Sequence, residues 1–280
     1  IYPVSPTNNY SRTGHDETRK LRALDTINLL NTDIHAVTEQ EVVDLVEQAI
    51  CDNEALRIGV VNAAKLVNMQ TDPLLADDVK SSDLVLADGM SAVWASRILG
   101  EGLPDRVTGC DLMYRFFELA NRRQWRVYCL GATEEISALV EKNLSEQYPN
   151  LIMAGRRNGY FSTEEESEIA QAIAASKPHF LLVAMTSPKK ENFMGTWGNR
   201  MNVPIVHGVG GSFDVYSGLV ERAPTSWQNL GLEWLYRVKQ EPRRLWKRYL
   251  ITNTKFVWFI LREGIQRILG KGLTGIRAKT

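Results

Sequence analysis

Asp88 and Gly89 stand between a short apolar run, Leu84–Ala87, and an amphipathic stretch that begins near Ser91. A carboxylate there, beside a flexible glycine, can act as a general base on a substrate hydroxyl. The same pair also makes an ordinary turn in which Asp caps a helix. Arg106-Val107-Thr108-Gly109 follows Pro104. Arg106 suits a bidentate grip on phosphate, with Thr108 and the Gly109 backbone as further donors. The plainer reading is a surface arginine ahead of a helix capped by Thr108. His207 to Asp214 carries Gly208, Gly210 and Gly211. Glycines let backbone N–H groups approach an anion. The G-x-G-G spacing lacks the third glycine of the dinucleotide fingerprint, so it suits a nucleotide diphosphate better than NAD. A tight strand-to-helix turn would look the same. In Thr186-Ser187-Pro188-Lys189-Lys190-Glu191, either lysine could neutralise phosphate, or both could be solvated on the first turn of a helix behind Pro188.

Three of these four clusters follow apolar runs that read as strands: Leu84–Ala87, Phe180–Met185 and Pro204–His207. Ile58–Val61, Arg126–Leu130 and Leu151–Ala154 read likewise. Between them lie helical patterns. One opens at Thr38 with Glu41 as its capping-box partner and carries Val42, Val43, Leu45, Val46 and Ile50. Others begin at Ala63, run over Ser91–Leu99, extend from Gly131 to about Tyr148, and open at Thr163 with Glu166 in the box position. Strand and helix alternating at this spacing predict an α/β fold: a Rossmann-like, mostly parallel sheet with helices on both faces. Ligands of such sheets bind at the carboxyl ends of the strands, where the clusters fall.

The 280 residues are 44% apolar, enough for a substantial core and against global disorder. Net charge is zero, but from Arg237 onward twelve Lys and Arg face two Glu, a net of +10, leaving −10 on the rest. That asymmetry points to an anionic partner surface. Cys51, Cys110 and Cys129 fit neither a zinc site nor a disulfide framework, which suits a reducing compartment. No signal-peptide pattern opens the sequence, and no apolar run reaches the ~18 residues of a spanning helix. No metal site and no cofactor are expected. No Asp-x-Asp pair occurs, so cationic side chains and backbone donors are expected where many nucleotide-sugar transferases use a metal ion.

Glu233–Arg237, Pro242–Tyr249 and Phe256–Leu261 interleave basic and aromatic residues at helical spacing. Amphipathic helices of this kind lie in a lipid interface. The apolar Phe256–Leu261 run argues against a nucleic-acid groove, and a basic helix pair packed on the body or between copies is the third reading. The expected organisation is a flexible arm over 1–25, an α/β catalytic domain over 26–230 and a basic, membrane-associating helical appendage over 231–280.

Together these residues resemble the WecG/TagA/CpsF family of bacterial glycosyltransferases, over about Asn62 to Arg248. The most specific stretch is Gly208 to Asp214, Gly218, Arg222-Ala223-Pro224, Gly231 to Arg237 and Glu241-Pro242-x-Arg244; Asp88-Gly89, Arg106-x-Thr108-Gly109-x-Asp111 and Ser187-Pro188-Lys189-x-Glu191 also match. The resemblance implies an inverting, metal-independent enzyme at the cytoplasmic face of the inner membrane. It would move a sugar from a UDP-sugar onto an undecaprenyl-diphosphate-linked sugar in cell-surface polysaccharide synthesis. It implies Asp88 as catalytic base and Arg106 on the diphosphate. Asn62, Thr108, Gly109, Lys190, Gly208, Gly210, Gly211 and Asp214 would form the donor site. Arg237, Arg244, Lys247 and Arg248 would belong to an appendage that meets the membrane and closes over the site. Lys190 stands where many members have Gln, and Val60 where some have Thr, leaving N-acetylmannosamine, its uronic acid and glucose open as the sugar. The rival readings are a nucleotide-dependent oxidoreductase or epimerase, and a membrane-bound or nucleic-acid-binding adaptor without activity. Homo-oligomerisation stays open.

Overall fold

A computed structural model describes residues 24–277; apart from Leu24 and Asp25, the expected N-terminal arm lies outside them. Two short strands come first, β1 (Thr26–Asn28) and β2 (Asp33–His35), paired antiparallel. Leu30 and Asn31, both with positive φ, form the tight turn between them. Then follow α1 (Glu39–Cys51), β3 (Leu56–Val61), α2 (Ala63–Met69), α3 (Pro73–Lys80), β4 (Leu84–Ala87), α4 (Met90–Ile98), α5 (Gly109–Arg123), β5 (Arg126–Gly131) and α6 (Glu134–Gln147). Next are β6 (Ile152–Arg157), a 3-10 turn (Thr163–Glu165), α7 (Glu166–Ala175), β7 (Phe180–Ala184), α8 (Lys189–Trp197), β8 (Ile205–Gly208) and α9 (Ser212–Tyr216). Three helices close the chain: α10 (Thr225–Asn229), α11 (Glu233–Gln240) and α12 (Pro242–Arg277).

Strands β3 to β8 form one parallel sheet in the order β4-β3-β8-β7-β5-β6. This is the expected α/β architecture. Alternate strand residues face opposite sides. Ile58, Val60, Leu84, Leu86, Val127, Phe180 and Leu182 pack under α1, α5 and α6. On the other face, Val85 and Ala87 pack with α2, α3 and α4, and Leu181 and Val183 with α7 and α8. The edge of β4 is covered by the hairpin, where His35 Nδ1 accepts from the Val85 N–H at 3.1 Å.

Several boundaries differ from the sequence reading. Strand β3 begins at Leu56 and includes the buried Arg57, whose guanidinium donates to the carbonyls of Ser81 and Met194. Strand β6 runs on through Arg156 and Arg157 because it is a half-exposed edge strand. The capping box before α7 uses Ser162 and Glu165, one residue earlier than expected. The C-terminal basic segment is one short helix followed by a single long one. Phe256 and Ile260 of α12 are buried among residues of α2, α3 and α4. Glu263 accepts from the Leu30 N–H at 3.0 Å, and Arg267 pairs with Glu101.

Candidate active site

The carboxyl ends of β4, β3, β8 and β7 lie side by side, and the turns leaving them build the site. At its centre is Gly208, the last residue of β8. A β-carbon there would sit 2.9 Å from Cδ and 3.0 Å from Cε of Lys190. The bare Cα is therefore the surface over which the Lys190 stem passes. Beyond it, Lys190 Nζ comes within 3.7 Å of where a β-carbon on Gly210 would be. The ammonium thus reaches the glycine turn. Lys189, its neighbour, goes elsewhere. Its amine donates to the carbonyls of Gly159 (3.0 Å) and Phe161 (2.7 Å) and lies over the Phe161 ring. The structure so separates two lysines that spacing alone left equivalent and of which the resemblance named Lys190.

Lys190 is buried and sits beside other charges. Glu191 Oε1 is 3.4 Å from Lys190 Nζ and 2.8 Å from Lys65 Nζ. Burial pushes the Lys190 amine down to about 8, assisted by Lys65 and opposed by Glu191 and Asp88. Glu191 is held at about 2: burial opposes its ionisation, but the two lysines outweigh that cost. His207, fully buried on β8, faces two carbonyls, Ile58 O at 3.4 Å and Gly109 O at 3.3 Å. Burial lowers it to about 4, against those carbonyls and with the help of Lys190 and Lys65, so the ring is neutral near pH 7.

The glycine turn supplies fewer backbone donors than three glycines suggest. The N–H groups of Val209 and Gly210 both turn back onto Val183 O, at 2.9 and 3.3 Å. Positive charge at the turn comes instead from side chains. Besides Lys190, Arg237 of α11 brings Nη1 to 3.9 Å from a β-carbon position on Gly211, and Asp214 Oδ2 is 3.6 Å from the same point.

Asp88 leaves β4 with its N–H bonded to Val61 O at 2.8 Å. Gly89 follows at φ +109°, a conformation that favours glycine, and leads into α4 as its N-cap residue. Asn62 and Thr108 are both helix caps: Asn62 accepts from Lys65 N at 3.0 Å, and Thr108 from Asp111 N at 3.0 Å. Gly109 is buried; a β-carbon would lie 3.3 Å from Gly208 O and 3.7 Å from the His207 ring. Its smallness brings α5 against the end of β8.

Arg106 is engaged by the C-terminal segment. It donates to Gln228 Oε1 at 3.1 Å and lies 3.7 Å from Glu233. Glu233 in turn pairs with Arg237. Arg222 holds Asp111 at 2.6 Å. Although burial opposes it, the Arg222 and Thr108 hydrogen bonds keep the Asp111 carboxyl below the usual range. These contacts fasten α10 and α11 over the Arg106–Asp111 turn. Lys247 and Arg248 are exposed on α12, with Arg248 over the Tyr249 ring. Arg244 is in the first turn of α12, its side chain outside the described residues. No group of His, Cys, Asp and Glu fit to hold a metal ion occurs among the described residues. Nor is any described helix long and apolar enough to cross a membrane.

Sequence reading overlooked Lys65 and Gln228, and took Glu233 only as part of the Gly231–Arg237 motif. Lys65 carried one signal: a lysine beside Leu66 on the helix face that must turn to the sheet.

Comparison with known proteins places the chain in a known group. The profile described as "Glycosyl transferase WecG/TagA/CpsF family" matches residues 27–269. Over 187 residues the chain is 34% identical to the N-acetylglucosaminyldiphosphoundecaprenol N-acetyl-beta-D-mannosaminyltransferase of Bacillus subtilis (strain 168), covering 67% of this chain and 72% of that one. The protein of that name from Bacillus spizizenii is 33% identical over 185 residues, 66% of this chain and 70% of its own.

Proposed function

Because the chain belongs to the WecG/TagA/CpsF family of glycosyl transferases, we propose that it transfers N-acetylmannosamine from its UDP conjugate to N-acetylglucosaminyl-diphospho-undecaprenol, inverting the anomeric carbon without a metal ion. The two Bacillus relatives carry names for that donor sugar and acceptor. The observation that carries the reading is that the Lys190 ammonium reaches the glycine turn at the same sheet edge where Asp88 leaves β4.

The chemistry is a single displacement. Asp88 takes the proton from an acceptor hydroxyl as that oxygen attacks the anomeric carbon from the face opposite UDP. The bond to the diphosphate oxygen breaks with its electron pair. Lys190, Arg106 and Arg237 meet the charge that develops on the leaving UDP. Fixed cations in a desolvated site act without reorganising during the step, which is where their contribution is greatest.

The long helix supports work at a lipid surface. Trp246, Leu250, Val257, Leu261 and Ile268 are exposed along one side of α12. Arg248, Lys255 and Arg262, seven residues apart and exposed, form a second row about 150° round the helix, with the exposed Trp258, Ile265 and Leu269 between the two rows. We read this as the face that lies on anionic headgroups at the cytoplasmic side of the inner membrane, where a polyprenyl-linked acceptor would be met.

The test is UDP release from UDP-N-acetylmannosamine, its uronic acid and UDP-glucose, with and without a short-chain polyprenyl-diphosphate N-acetylglucosamine. Acceptor-dependent release from the first donor is the expected result. Release from another donor corrects the sugar, and none from any donor overturns the reading.

A further inference from the structure

Lys65 and Glu191 take no part in the displacement, yet they form a buried ion pair at 2.8 Å, with side-chain exposures of 8% and 6%. Such pairs are costly to bury and contribute little net stability, so their presence calls for another explanation. Topology supplies one. Lys65 follows β3 and Glu191 follows β7, and those strands are separated by β8. The pair reaches across β8, two strand spacings or about 10 Å, and lines the same small cavity as Gly208. That cavity, of about 10 Å³ against Lys65, Asp78, Lys190, Glu191 and Gly208, is too small for a substrate.

Charge sharing gives the arrangement its effect. One carboxylate faces two ammonium groups, and Lys65 is the nearer, at 2.8 Å against 3.4 Å for Lys190. Glu191 is thus drawn toward Lys65. Lys190 shares the same carboxylate oxygen at the longer distance, so it is only partly compensated, and its amine reaches the glycine turn.

We propose that Lys65 and Glu191 are positioning residues, a brace across β8 that holds the Lys190 ammonium at the glycine turn and keeps its charge available to the diphosphate of the donor. This rests on the UDP-sugar reading above. Lys190 is faced by Lys65 from α2, Glu191 from α8, Asp88 from the end of β4 and neutral His207 from β8, with Asp78 of α3 across the cavity. Removing each partner therefore acts differently. In Lys65→Met, Glu191 turns wholly to Lys190 and quenches it; the lost positive neighbour makes the amine harder to deprotonate. In Glu191→Gln, two lysines are left without their counter-ion, and Lys190 loses its proton more easily.

The experiment is calorimetric titration of UDP into the full chain, wild type and both variants, from about pH 6 to about pH 10. Binding should weaken by about tenfold or more in each variant. The alkaline fall in affinity should move to higher pH in Lys65→Met and to lower pH in Glu191→Gln. A pair that only stabilises the fold would lower the melting temperature and leave the position of that fall unchanged. Folded variants that keep the wild-type affinity and profile overturn the brace while the donor reading stands. If one variant does not fold, the direction of the shift in the other decides, and Lys65→Arg, which keeps the charge, should restore the wild-type profile. A wild-type chain that binds no UDP overturns the donor reading and the brace with it.

Discussion

The side chain of Lys190 passes over the bare Cα of Gly208, so that the last residue of β8 serves as the track for a cation from helix α8. The glycine there is required by a neighbour's side chain rather than by its own backbone angle.

Gly208→Ala should therefore act through Lys190. The new methyl would meet the lysine stem at 2.9 Å and Met194 Sδ at 3.1 Å. Overpacking of this kind costs about 1–3 kcal/mol. Thermal melts should show that loss together with weaker UDP binding. In a Lys190→Ala background most of the loss should disappear, and an unchanged cost would show that the crowding lies with Met194 instead.

Lys190→Met should weaken UDP binding by about 1.5–3 kcal/mol, the range for a hydrogen bond to a charged group. In the wild type the amine is a cation below about 8 and neutral above it, so UDP affinity should hold at lower pH and fall as pH rises through that value. The variant should show no such fall. Stability follows the opposite sign. The folded value lies below the 10.5 of an exposed lysine, so between these limits the unfolded chain binds more protons, and this group makes the fold more stable as pH rises. Calorimetry and urea titrations across that window check both.

Asp88→Asn should reduce transfer by about 10²–10⁴-fold, the usual contribution of a general base. UDP affinity should stay within a few-fold, because the Asp88 N–H contact to Val61 O and the turn at Gly89 are backbone features. Turnover near that of the wild type would remove Asp88 from the chemistry.

The strand-helix alternation and the clusters at strand ends were legible because buried parallel strands are nearly all apolar. Arg57 and Arg156–Arg157 concealed strand residues, since a buried or edge arginine bonded to carbonyls or carboxylates looks in sequence like a loop charge. The Thr26–His35 hairpin was hidden because each strand has three residues, too few for a period. Thr108 was readable as a helix cap, whereas the capping bond of Asn62 depends on where α2 begins. Telling Lys189 from Lys190 needed the helix phase of α8. Lys65 and Glu191 could not be paired by reading, because β8, which lies between their strands, comes last in the chain.

The two sides of α12 should separate cleanly. Phe256→Ala should cost about 3–5 kcal/mol, as for other buried aromatics, without changing vesicle binding by the folded fraction. Replacing Val257 and Leu261 by Ser should leave the melt within about 0.5 kcal/mol per site while reducing binding to lipid. Replacing Arg248, Lys255 and Arg262 by Gln should weaken binding to anionic vesicles by about 1 kcal/mol each, and added salt should abolish the difference. Vesicle flotation with neutral and anionic lipid distinguishes the three sets.

The insertion of Phe256 and Ile260 into the body also bears on how the protein is best produced and handled. Trimming the greasy C-terminus to improve solubility, for instance by ending the chain at Tyr236, would uncover the apolar residues of α2, α3 and α4 that α12 now shields. The shortened product would be expected to precipitate or collect chaperones, and its failure to reach vesicles would be uninformative. Full-length material kept in mild detergent, with the outward side chains exchanged one by one, is the preparation this architecture favours.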